Sequence, residues 1–370
     1  MTDADDRRPL FARFPGLAAG LPWIRLATLP TPVRRMAKLG DRVGPSALWL
    51  KDDGPSSAFY GGNKVRKLEL VLGAARARHA ARVLTFGYAG SNHAAATAVH
   101  ASRVGMRSIS ILLPQPNASY LRKNLLVSAA VGAELHEYPS RAALYAGTVL
   151  TILKHAVRDR KLPFLIAPGG SSPLGTVSFV NAAFELAEQV DAGLLPLPEK
   201  IYVAAGSLGT VVGLGIGLAA LGLPVGVVAV RVVDEQYVNP TTASALWRNT
   251  LALLRGCDAA FPDVGEAGDR ISFRGEFFGG EYAGATTEAV EAQRLAGKLE
   301  ALDLDITYTA KALACLLTDA RASRLPQGPV LFWNTRNSSD LSDLAEGASP
   351  GELPRRLRRY FEPGEVLAGH

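Results

Sequence analysis

The stretch IYVAAGSLGTVVGLGIGLAALGLPVGVVAV, residues 201–230, contains no charged residue. It is long enough for a membrane-spanning helix, which needs about 20 apolar residues. Glycine-containing breaks near its beginning and its end interrupt it, however. We therefore interpret it as a buried strand (201–205), a glycine loop, a buried helix (211–221), a turn and a second buried strand (225–233). This pattern favours a soluble protein without a membrane span.

On both sides of this stretch, short apolar strands alternate with helices. Residues 83–86, for example, have the pattern of a strand, and residues 91–104 that of a helix. Such alternation indicates the α/β class with mostly parallel sheets. The 370 residues are enough for two domains. We predict a small α/β domain at 61–179, inserted into a larger α/β domain that 1–60 and 180–370 form together.

The composition excludes several classes of protein. The formal net charge of +6 is scattered, and no nucleic-acid-binding motif accompanies it, so we expect no nucleic-acid partner. The two cysteines, Cys257 and Cys315, are too few for a disulfide framework. Because the N-terminus is acidic and no apolar signal sequence follows, we expect a cytoplasmic protein.

Lys64 is the first candidate for chemistry. It follows Gly61, Gly62 and Asn63 and opens a predicted helix. The positive end of the helix dipole and partial burial both disfavour a protonated amine. A neutral amine is the form that attacks an aldehyde carbon, so Lys64 is a candidate nucleophile. On spacing alone, a surface lysine at a helix start remains the alternative.

The second candidate is the loop Gly206-Ser207-Leu208-Gly209-Thr210, which joins the buried strand to the buried helix. Backbone N–H groups and the helix dipole at such a loop can hold a phosphate, to which two hydroxyls add donors. The spacing differs from that of nucleotide-binding loops and favours a lone phosphate. A turn that only permits close helix packing is the alternative.

The third candidate, Ser91-Asn92-His93, also follows a predicted strand. Ser91 is a good helix cap, and the free N–H groups of the first turn suit a substrate carboxylate. A plain helix cap is the alternative. His93 and His100 stand seven residues apart, which is poor geometry for a metal ion, so we predict no metal site.

Tyr308 and Thr309 form the fourth candidate. A tyrosine near a reacting carbon can transfer a proton or stabilise an oxyanion. A buried tyrosine with a purely structural role is the alternative.

Taken in this order, the four sites resemble the family of 1-aminocyclopropane-1-carboxylate (ACC) deaminases and D-cysteine desulfhydrases. That family is a branch of the fold type II, tryptophan-synthase-β-like, pyridoxal phosphate enzymes. The resemblance runs from about residue 29 to residue 333. It implies pyridoxal 5′-phosphate (PLP) as cofactor, a small amino acid as substrate and a homodimer. The matching motifs are LKDD (50–53), GGNKVRKLE (61–69), SNH (91–93), PGGS (168–171), GSLGT (206–210) and YTAK (308–311).

The resemblance also implies a role for each site residue. Lys64 would bind PLP covalently and then move the Cα proton of the substrate. Tyr282, Tyr308 and Ser91 would serve catalysis, and Ser91, Asn92 and His93 would hold the substrate carboxylate. The cofactor would contact Asn63, the loop Gly206, Ser207, Leu208, Gly209 and Thr210, and Thr309 at its pyridine nitrogen.

Two positions bear on the reaction. A threonine at 309, where the deaminases have a carboxylate, would leave the pyridine largely neutral. Thr309 and His93 together resemble the residues of the desulfhydrases at these positions. We therefore expect a PLP-dependent lyase or deaminase that eliminates a β-substituent and gives a 2-oxo acid and ammonia. A β-replacement or another PLP reaction in a specialised biosynthetic pathway is one alternative, and a non-catalytic protein with this fold is the other.

The sequence departs from the family after the last core strand. The usual glycine pair is absent, and Asn334-Thr335-Arg336-Asn337 stands there instead. We hypothesise that Arg336 reaches the pocket and pairs with a second acidic group on a larger substrate. The alternative is that Arg336 faces solvent or a partner subunit.

Overall fold

The computed structural model describes residues 8–44 and 47–362 and shows two sheets flanked by helices. The strands, in chain order, are β1 (Val33–Arg35), β2 (Leu48–Asp52), β3 (Arg82–Tyr88), β4 (Arg107–Leu113), β5 (Glu134–Glu137), β6 (Phe164–Ile166), β7 (Lys200–Ala205), β8 (Gly226–Arg231), β9 (Ile271–Arg274) and β10 (Val330–Asn334). The larger sheet has the order β1-β2-β10-β7-β8-β9, and the smaller sheet the order β5-β4-β3-β6.

Helices occupy most of the connections between these strands. In chain order they are α1 (Pro9–Arg13), α2 (Pro15–Gly20), α3 (Ala37–Val43), α4 (Asn63–Ala77), α5 (Asn92–Arg103), α6 (Ser119–Ala130), α7 (Arg141–Asp159), α8 (Pro173–Asp191), α9 (Gly209–Ala220), α10 (Pro240–Cys257), α11 (Thr287–Glu300), α12 (Thr309–Arg321), α13 (Ser342–Glu346) and α14 (Arg355–Arg358). Within the described residues every strand pair is parallel except β1–β2. The predicted α/β class with mostly parallel sheets is therefore confirmed.

The uncharged stretch 201–230 forms β7, α9 and β8, as predicted. β7 and β8 pair in parallel, with Lys200 opposite Gly226 and Ala205 opposite Arg231. The helix begins at Gly209 rather than at residue 211, so Gly209 and Thr210 belong to its first turn. Because α9 is buried along most of its length against α8, it can be apolar on nearly every side.

Helices cover both faces of the larger sheet. On one face α8 and α9 pack against the sheet through residues such as Phe179, Leu214 and Trp333. On the other face α11 and α12 pack against it through residues such as Leu313 and Phe332. Each strand in the middle of this sheet is therefore buried on both sides, as parallel sheets generally are.

Helix α4 joins the two sheets. It packs against α8 beside the larger sheet and against α5 beside the smaller one. The C-terminal residues Leu353 and Leu357 pack against α6, also beside the smaller sheet. The division of the chain at residues 61 and 179 stays a prediction.

The described residues contain neither a candidate membrane span nor a candidate metal site. None of the helices there is both long and apolar enough to span a membrane. Over the same residues, no group of three or more His, Cys, Asp or Glu side chains is arranged to hold a metal ion.

Candidate active site

A cavity lies where β7 and β10 end and where α4 and α9 begin. In parallel sheets the carboxyl ends of the strands are the usual place for ligands. Many of the predicted site residues meet here although they are far apart in the chain. The cavity is lined by Tyr60, Gly61, Asn63, Lys64, Asn92, Ala204, Gly206, Ser207, Thr210, Asp305, Tyr308, Thr335, Arg336 and Asn337.

Lys64 is the second residue of α4 and projects into this cavity. The helix starts from Gly62, whose φ of +79° favours glycine. A Cβ at Gly62 would also lie 2.8 Å from the carbonyl oxygen of Thr335. Burial lowers the pKa of Lys64 to about 8, and the Asp305 carboxylate only partly opposes this shift. The neutral amine that a nucleophile requires is thus a minor form near physiological pH, but a far more populated one than in an ordinary lysine.

The glycine loop lies opposite Lys64 and leads into α9. The backbone N–H of Gly209 donates to Ser171 Oγ at 3.0 Å, and Ser171 Oγ donates to Ser207 Oγ at 2.9 Å. Asn63 Nδ2 donates to Thr210 Oγ1 at 3.2 Å, which ties the start of α4 to the loop. The loop therefore presents hydroxyls and a helix N-terminus, the features that suit a phosphate.

Lys67 is a buried lysine that the sequence analysis missed as a site residue. It is fully buried, and its Nζ donates to Ser171 Oγ at 3.1 Å and to the carbonyl of Gly169 at 3.3 Å. No carboxylate of the described chain forms a salt bridge with it. Burial, with a smaller contribution from Lys64, holds the pKa of Lys67 well below its usual value. Lys67 follows Lys64 by three residues, and this spacing places both lysines on the same side of α4. The spacing could have identified Lys67 from the sequence.

The segment 91–93 forms the first turn of α5, as predicted. Ser91 caps the helix by accepting from the N–H of Ala94 at 3.2 Å. Asn92 lines the cavity, and its Oδ1 accepts from the Asn124 amide at 2.8 Å. His93 is buried with neither ring nitrogen hydrogen-bonded, and burial keeps its pKa well below the usual value. The histidine is therefore neutral and retains hydrogen-bonding capacity beside the cavity.

Four tyrosines surround the other side of the site. Tyr308 and Tyr282 share a hydrogen bond between their hydroxyls at 2.5 Å. Tyr88 stacks on Tyr282 with 4.1 Å between ring centroids, and Tyr120 shares a hydrogen bond with Thr307 at 3.1 Å. Burial raises the pKa of both Tyr282 and Tyr308 far above the usual value. Both phenols are thus protonated at neutral pH and each has a proton to donate, although the raised pKa makes them weaker acids than an exposed tyrosine. Tyr88 and Tyr120 were missed by the sequence analysis.

Comparison with known proteins identifies the family to which the chain belongs. A model of the family described as pyridoxal-phosphate dependent enzyme matches residues 24–335, most of the chain. The chain belongs to this family. It is therefore an enzyme that uses PLP, and the predicted cofactor is confirmed.

Its relatives include deaminases and desulfhydrases, which confirms the predicted family. Nocardicin C-9′ epimerase of Nocardia uniformis subsp. tsuyamanensis is 34% identical over 92% of this chain and 99% of the relative. D-cysteine desulfhydrase of Klebsiella pneumoniae is 29% identical over 85% of this chain and 93% of the relative. The crystal structure of an ACC deaminase homologue is 28% identical, covers 92% of this chain and 99% of its own, and has a TM-score of 0.75.

The residues of the cavity fit PLP. Lys64 offers the amine for the aldehyde of PLP, and Lys67 offers a buried amine without a carboxylate partner beside the glycine loop, which a bound phosphate would stabilise in its protonated form. A Cβ at Gly209 would lie 2.7 Å from Ser171 Oγ and 3.0 Å from Lys67 Nζ. The glycine thus keeps open the space in which a phosphate could meet both donors. His93 adds buried ring nitrogens that lack a protein partner.

Replacement of Lys67 by methionine is expected to weaken PLP binding by roughly 10- to 100-fold, since a hydrogen bond to a charged group contributes about 1.5–3 kcal/mol. Pyridoxal, which lacks the phosphate, should bind both proteins with similar affinity. Equilibrium titration of the cofactor-free proteins with the two compounds measures this. An equal loss of affinity for PLP and for pyridoxal would show that Lys67 does not contact the phosphate.

The uptake of PLP by the cofactor-free protein should depend on pH. Below a pH of about 8 most Lys64 side chains are protonated and cannot attack the aldehyde. The rate should therefore rise by nearly tenfold per pH unit at low pH and level off above pH 8. Stopped-flow absorbance measures this rate. A rate that keeps rising toward pH 10.5, the ordinary lysine value, would contradict the lowered pKa of Lys64.

Asp305 supplies a carboxylate that the sequence analysis missed. It lines the cavity and accepts from the backbone N–H of Tyr308 at 2.6 Å. The hydroxyl of Thr309 donates to its Oδ2 at 2.8 Å, and Thr309 itself is fully buried. The contact between Thr309 and the pyridine nitrogen stays a prediction. In the described structure it is Asp305 and Thr335, rather than Thr309, that line the cavity.

Arg336 lies at the cavity wall with about a quarter of its side chain exposed. Its guanidinium forms an ion pair with Asp303, and its backbone N–H donates to Asn334 Oδ1 at 3.2 Å. The side chain of Asp303 is mostly exposed, so water screens this pair. A substrate anion could therefore compete for Arg336.

A buried ion network holds the start of α4 in place. Arg66 donates to Glu185 at 2.8 Å and to Asp53 at 2.8 Å, and Lys51 donates to Glu185 at 2.6 Å. The indole N–H of Trp333 donates to the second oxygen of Asp53 at 2.9 Å. Because Arg66 lies only two residues after Lys64, the network fixes the helical turn that carries the nucleophile.

Proposed function

We propose that the enzyme removes the Cα proton of a small amino acid and eliminates its β-substituent, and that water then hydrolyses the released unsaturated amine to a 2-oxo acid and ammonia. This is the reaction type of a D-cysteine desulfhydrase. When bound, PLP withdraws electrons from the substrate and so acidifies the Cα–H bond. The observation that carries the proposal is that Lys64, with its lowered pKa, and the protonated Tyr308 line the same cavity.

Each protein group has a separate task in this reaction. Neutral Lys64 takes the proton from Cα as a general base. Ser91, Asn92 and the first turn of α5 bind and orient the substrate carboxylate. Tyr308, hydrogen-bonded to Tyr282, donates a proton to the leaving group.

A second candidate is epimerisation at Cα, in which the proton returns to the opposite face. The full-length similarity to nocardicin C-9′ epimerase, which covers 99% of that protein, favours it. The same residues would serve, with Lys64 as one acid–base group and Tyr308 as the other. Both candidates begin with removal of the Cα proton, and they differ in whether Cα is then reprotonated or the β-substituent leaves.

One experiment separates the candidates. The holoenzyme is incubated with both enantiomers of cysteine and of other β-substituted amino acids. Release of ammonia and a 2-oxo acid is measured alongside the enantiomer ratio by chiral chromatography. Ammonia and a 2-oxo acid are the expected products. Interconversion of enantiomers without these products would favour epimerisation, and no change in any substrate would contradict both.

A second cavity adjoins the first and bears on the substrate. It shares Tyr60, Asn92, Asp305, Arg336 and Asn337 with the first cavity. Lys123 also lines it, so two cations face this space. We propose that the second cavity receives the distal part of the substrate and that Arg336 pairs there with an acidic group.

Replacement of Arg336 by alanine is expected to lower kcat/KM by roughly tenfold or more for amino acids with a second acidic group, since a charge-assisted hydrogen bond contributes about 1.5–3 kcal/mol. Neutral amino acids should be affected far less. The control is Arg248→Ala, an exposed arginine of α10 outside both cavities. If Arg336→Ala left the ratio of kcat/KM between acidic and neutral amino acids unchanged, Arg336 would not contact an acidic group of the substrate.

A further inference from the structure

Gly90, the residue immediately before Ser91, has no room for a side chain. A Cβ at this position would lie 2.9 Å from Gln115 Nε2 and 2.9 Å from Tyr120 Cε2, which is closer than a Cβ atom can approach either of them. Gln115 lies in the connection between β4 and α6, and Tyr120 is the second residue of α6. The side chains of these two residues therefore occupy the space that a side chain at position 90 would need.

The polar groups of the Gly90 backbone are held by side chains. Its N–H donates to Gln115 Oε1 at 2.9 Å, and its carbonyl accepts from Asn124 Nδ2 at 3.0 Å. Asn124 Nδ2 also donates to Asn92 Oδ1 at 2.8 Å. The backbone is therefore fixed just where the chain enters the first turn of α5.

Gln115 is itself held in place by the C-terminal segment. It is only 9% exposed, and its backbone N–H donates to the Tyr360 hydroxyl at 3.3 Å. The same hydroxyl donates to Glu137 of β5 at 2.7 Å, and the carbonyl of Tyr360 accepts from Arg122 Nε at 2.6 Å. Gln115 is thus a fixed hydrogen-bond partner for Gly90 rather than a mobile one.

The amide of Gln115 also connects to the other side of the site. Its Nε2 donates to the Tyr120 hydroxyl at 2.9 Å, and that hydroxyl shares a hydrogen bond with Thr307 Oγ1 at 3.1 Å. Because the Tyr120 oxygen accepts from Gln115, its own proton is available for Thr307. Thr307 is fully buried and directly precedes Tyr308. A series of three hydrogen bonds therefore runs from Gly90 to the residue next to Tyr308.

We infer that Gln115 and Tyr120 are positioning residues that align the first turn of α5 with Tyr308. The inference rests on the proposed function, in which this turn binds the substrate carboxylate and Tyr308 donates a proton. The first N–H groups of a helix have no partner within it, so the backbone that enters the helix determines where they hold an anion. Loss of Gln115 should therefore affect the carboxylate more than the rest of the substrate.

The test uses alanine, which has no β-substituent to eliminate, and alaninamide, in which a neutral amide replaces the carboxylate. The holoenzyme is titrated with both enantiomers of each compound, and the change in PLP absorption gives the dissociation constants. The variant Gln115→Met keeps the length of the side chain but removes its hydrogen bonds, and Tyr120→Phe removes only the hydroxyl. The control is Gln327→Met, an exposed glutamine outside both cavities.

Wild type and control are expected to bind alanine more tightly than alaninamide. Gln115→Met should weaken the binding of alanine by roughly tenfold, the effect of one or two hydrogen bonds, and that of alaninamide by less than about twofold. Tyr120→Phe should weaken the binding of alanine by roughly threefold. The double variant should bind alanine no more weakly than Gln115→Met, because both residues act through one series of hydrogen bonds.

An unchanged affinity of Gln115→Met for alanine, or an equal loss for alanine and alaninamide, would overturn the inference. A wild type that binds neither compound, or both equally, would overturn it as well. If Gln115→Met did not fold, as far-ultraviolet circular dichroism would show, Tyr120→Phe would decide in the same way. Since alanine cannot undergo elimination, a wild type without elimination activity would contradict the proposed function and leave this test unaffected.

Discussion

Replacement of Lys64 by alanine is expected to lower kcat/KM by about 10³-fold or more, because it removes the general base as well as the covalent anchor of PLP. The absorption of the covalently bound cofactor near ~410–420 nm should disappear, since it depends on the bond between PLP and a lysine. Steady-state kinetics with the best amino acid of the panel and a spectrum of the purified protein measure both effects.

The matched control for this change is Lys161→Ala, an exposed lysine outside the cavity. It should leave both turnover and the spectrum unchanged. If Lys64→Ala kept turnover within tenfold of the wild type, or kept the absorption band, Lys64 would not be the residue that binds PLP.

Replacement of Glu185 by alanine is expected to lower the free energy of unfolding by about 3–5 kcal/mol. Loss of one partner from a buried ion pair leaves an uncompensated charge in the interior, and this is the usual size of that penalty. Glu185 is almost fully buried and pairs with both Lys51 and Arg66. Urea unfolding followed by circular dichroism measures the loss.

The control is Glu235→Ala, which breaks an ion pair with Arg231 at 3.0 Å. The Glu235 side chain is 76% exposed, so less than about 1 kcal/mol should be lost. If Glu185→Ala also lowered the free energy of unfolding by less than about 1 kcal/mol, the network would not stabilise the fold. Cofactor content should fall with stability in the Glu185 variant, because the network fixes the turn of α4 that carries Lys64.

The network also gives stability a pH dependence. Burial alone would raise the pKa of Glu185, but Arg66 and Lys51 hold it well below the usual value of 4.5. A carboxyl group whose pKa is lower in the folded state stabilises the fold at pH values above its unfolded pKa. This contribution is lost as the pH falls below about 4.5 toward the folded pKa.

The sequence was sufficient for features that depend on local pattern. The uncharged stretch 201–230 showed β7, α9 and β8 because glycines divide it into pieces of strand and helix length. Ser91 was recognisable as a helix cap from its type and its position after a strand. The glycine loop and Lys64 were predicted as candidates for the same reason, and the structure brings them to one cavity.

The sequence was insufficient for contacts between distant segments. Lys67 faces Ser171, 104 residues later, and Arg66 faces Glu185, 119 residues later. No local pattern shows which of several buried charges will meet across such distances. Asp305 was missed although a local signal existed, since an aspartate just before a helix commonly accepts from its first N–H groups.

Helix α7 shows a third kind of limit. It spans Arg141–Asp159, between β5 and β6. The pattern could not show that two apolar faces would be left, one on the sheet and one in solvent, because that depends on which neighbours the fold supplies. The exposed face was visible only once the smaller sheet had been placed.

Lys64, Lys67 and Lys311 lie in or near the site and have a lowered pKa, and only one of them should bind PLP. Burial lowers the pKa of Lys64 and of Lys311 to about 8, and that of Lys67 well below its usual value. Lys311 donates to the carbonyl of Phe278 at 2.6 Å, and Lys67 faces the glycine loop. Lys64 alone of the three lines the cavity.

Reduction of the holoenzyme with borohydride, followed by digestion and mass spectrometry, distinguishes these lysines most directly. The reductant makes the bond between PLP and its lysine permanent, so the modified peptide identifies the residue. We predict that the label lies on Lys64 and on no other lysine. A label on Lys67 or Lys311, or a chain that carries none, would contradict the assignment of Lys64 as the residue that binds the cofactor.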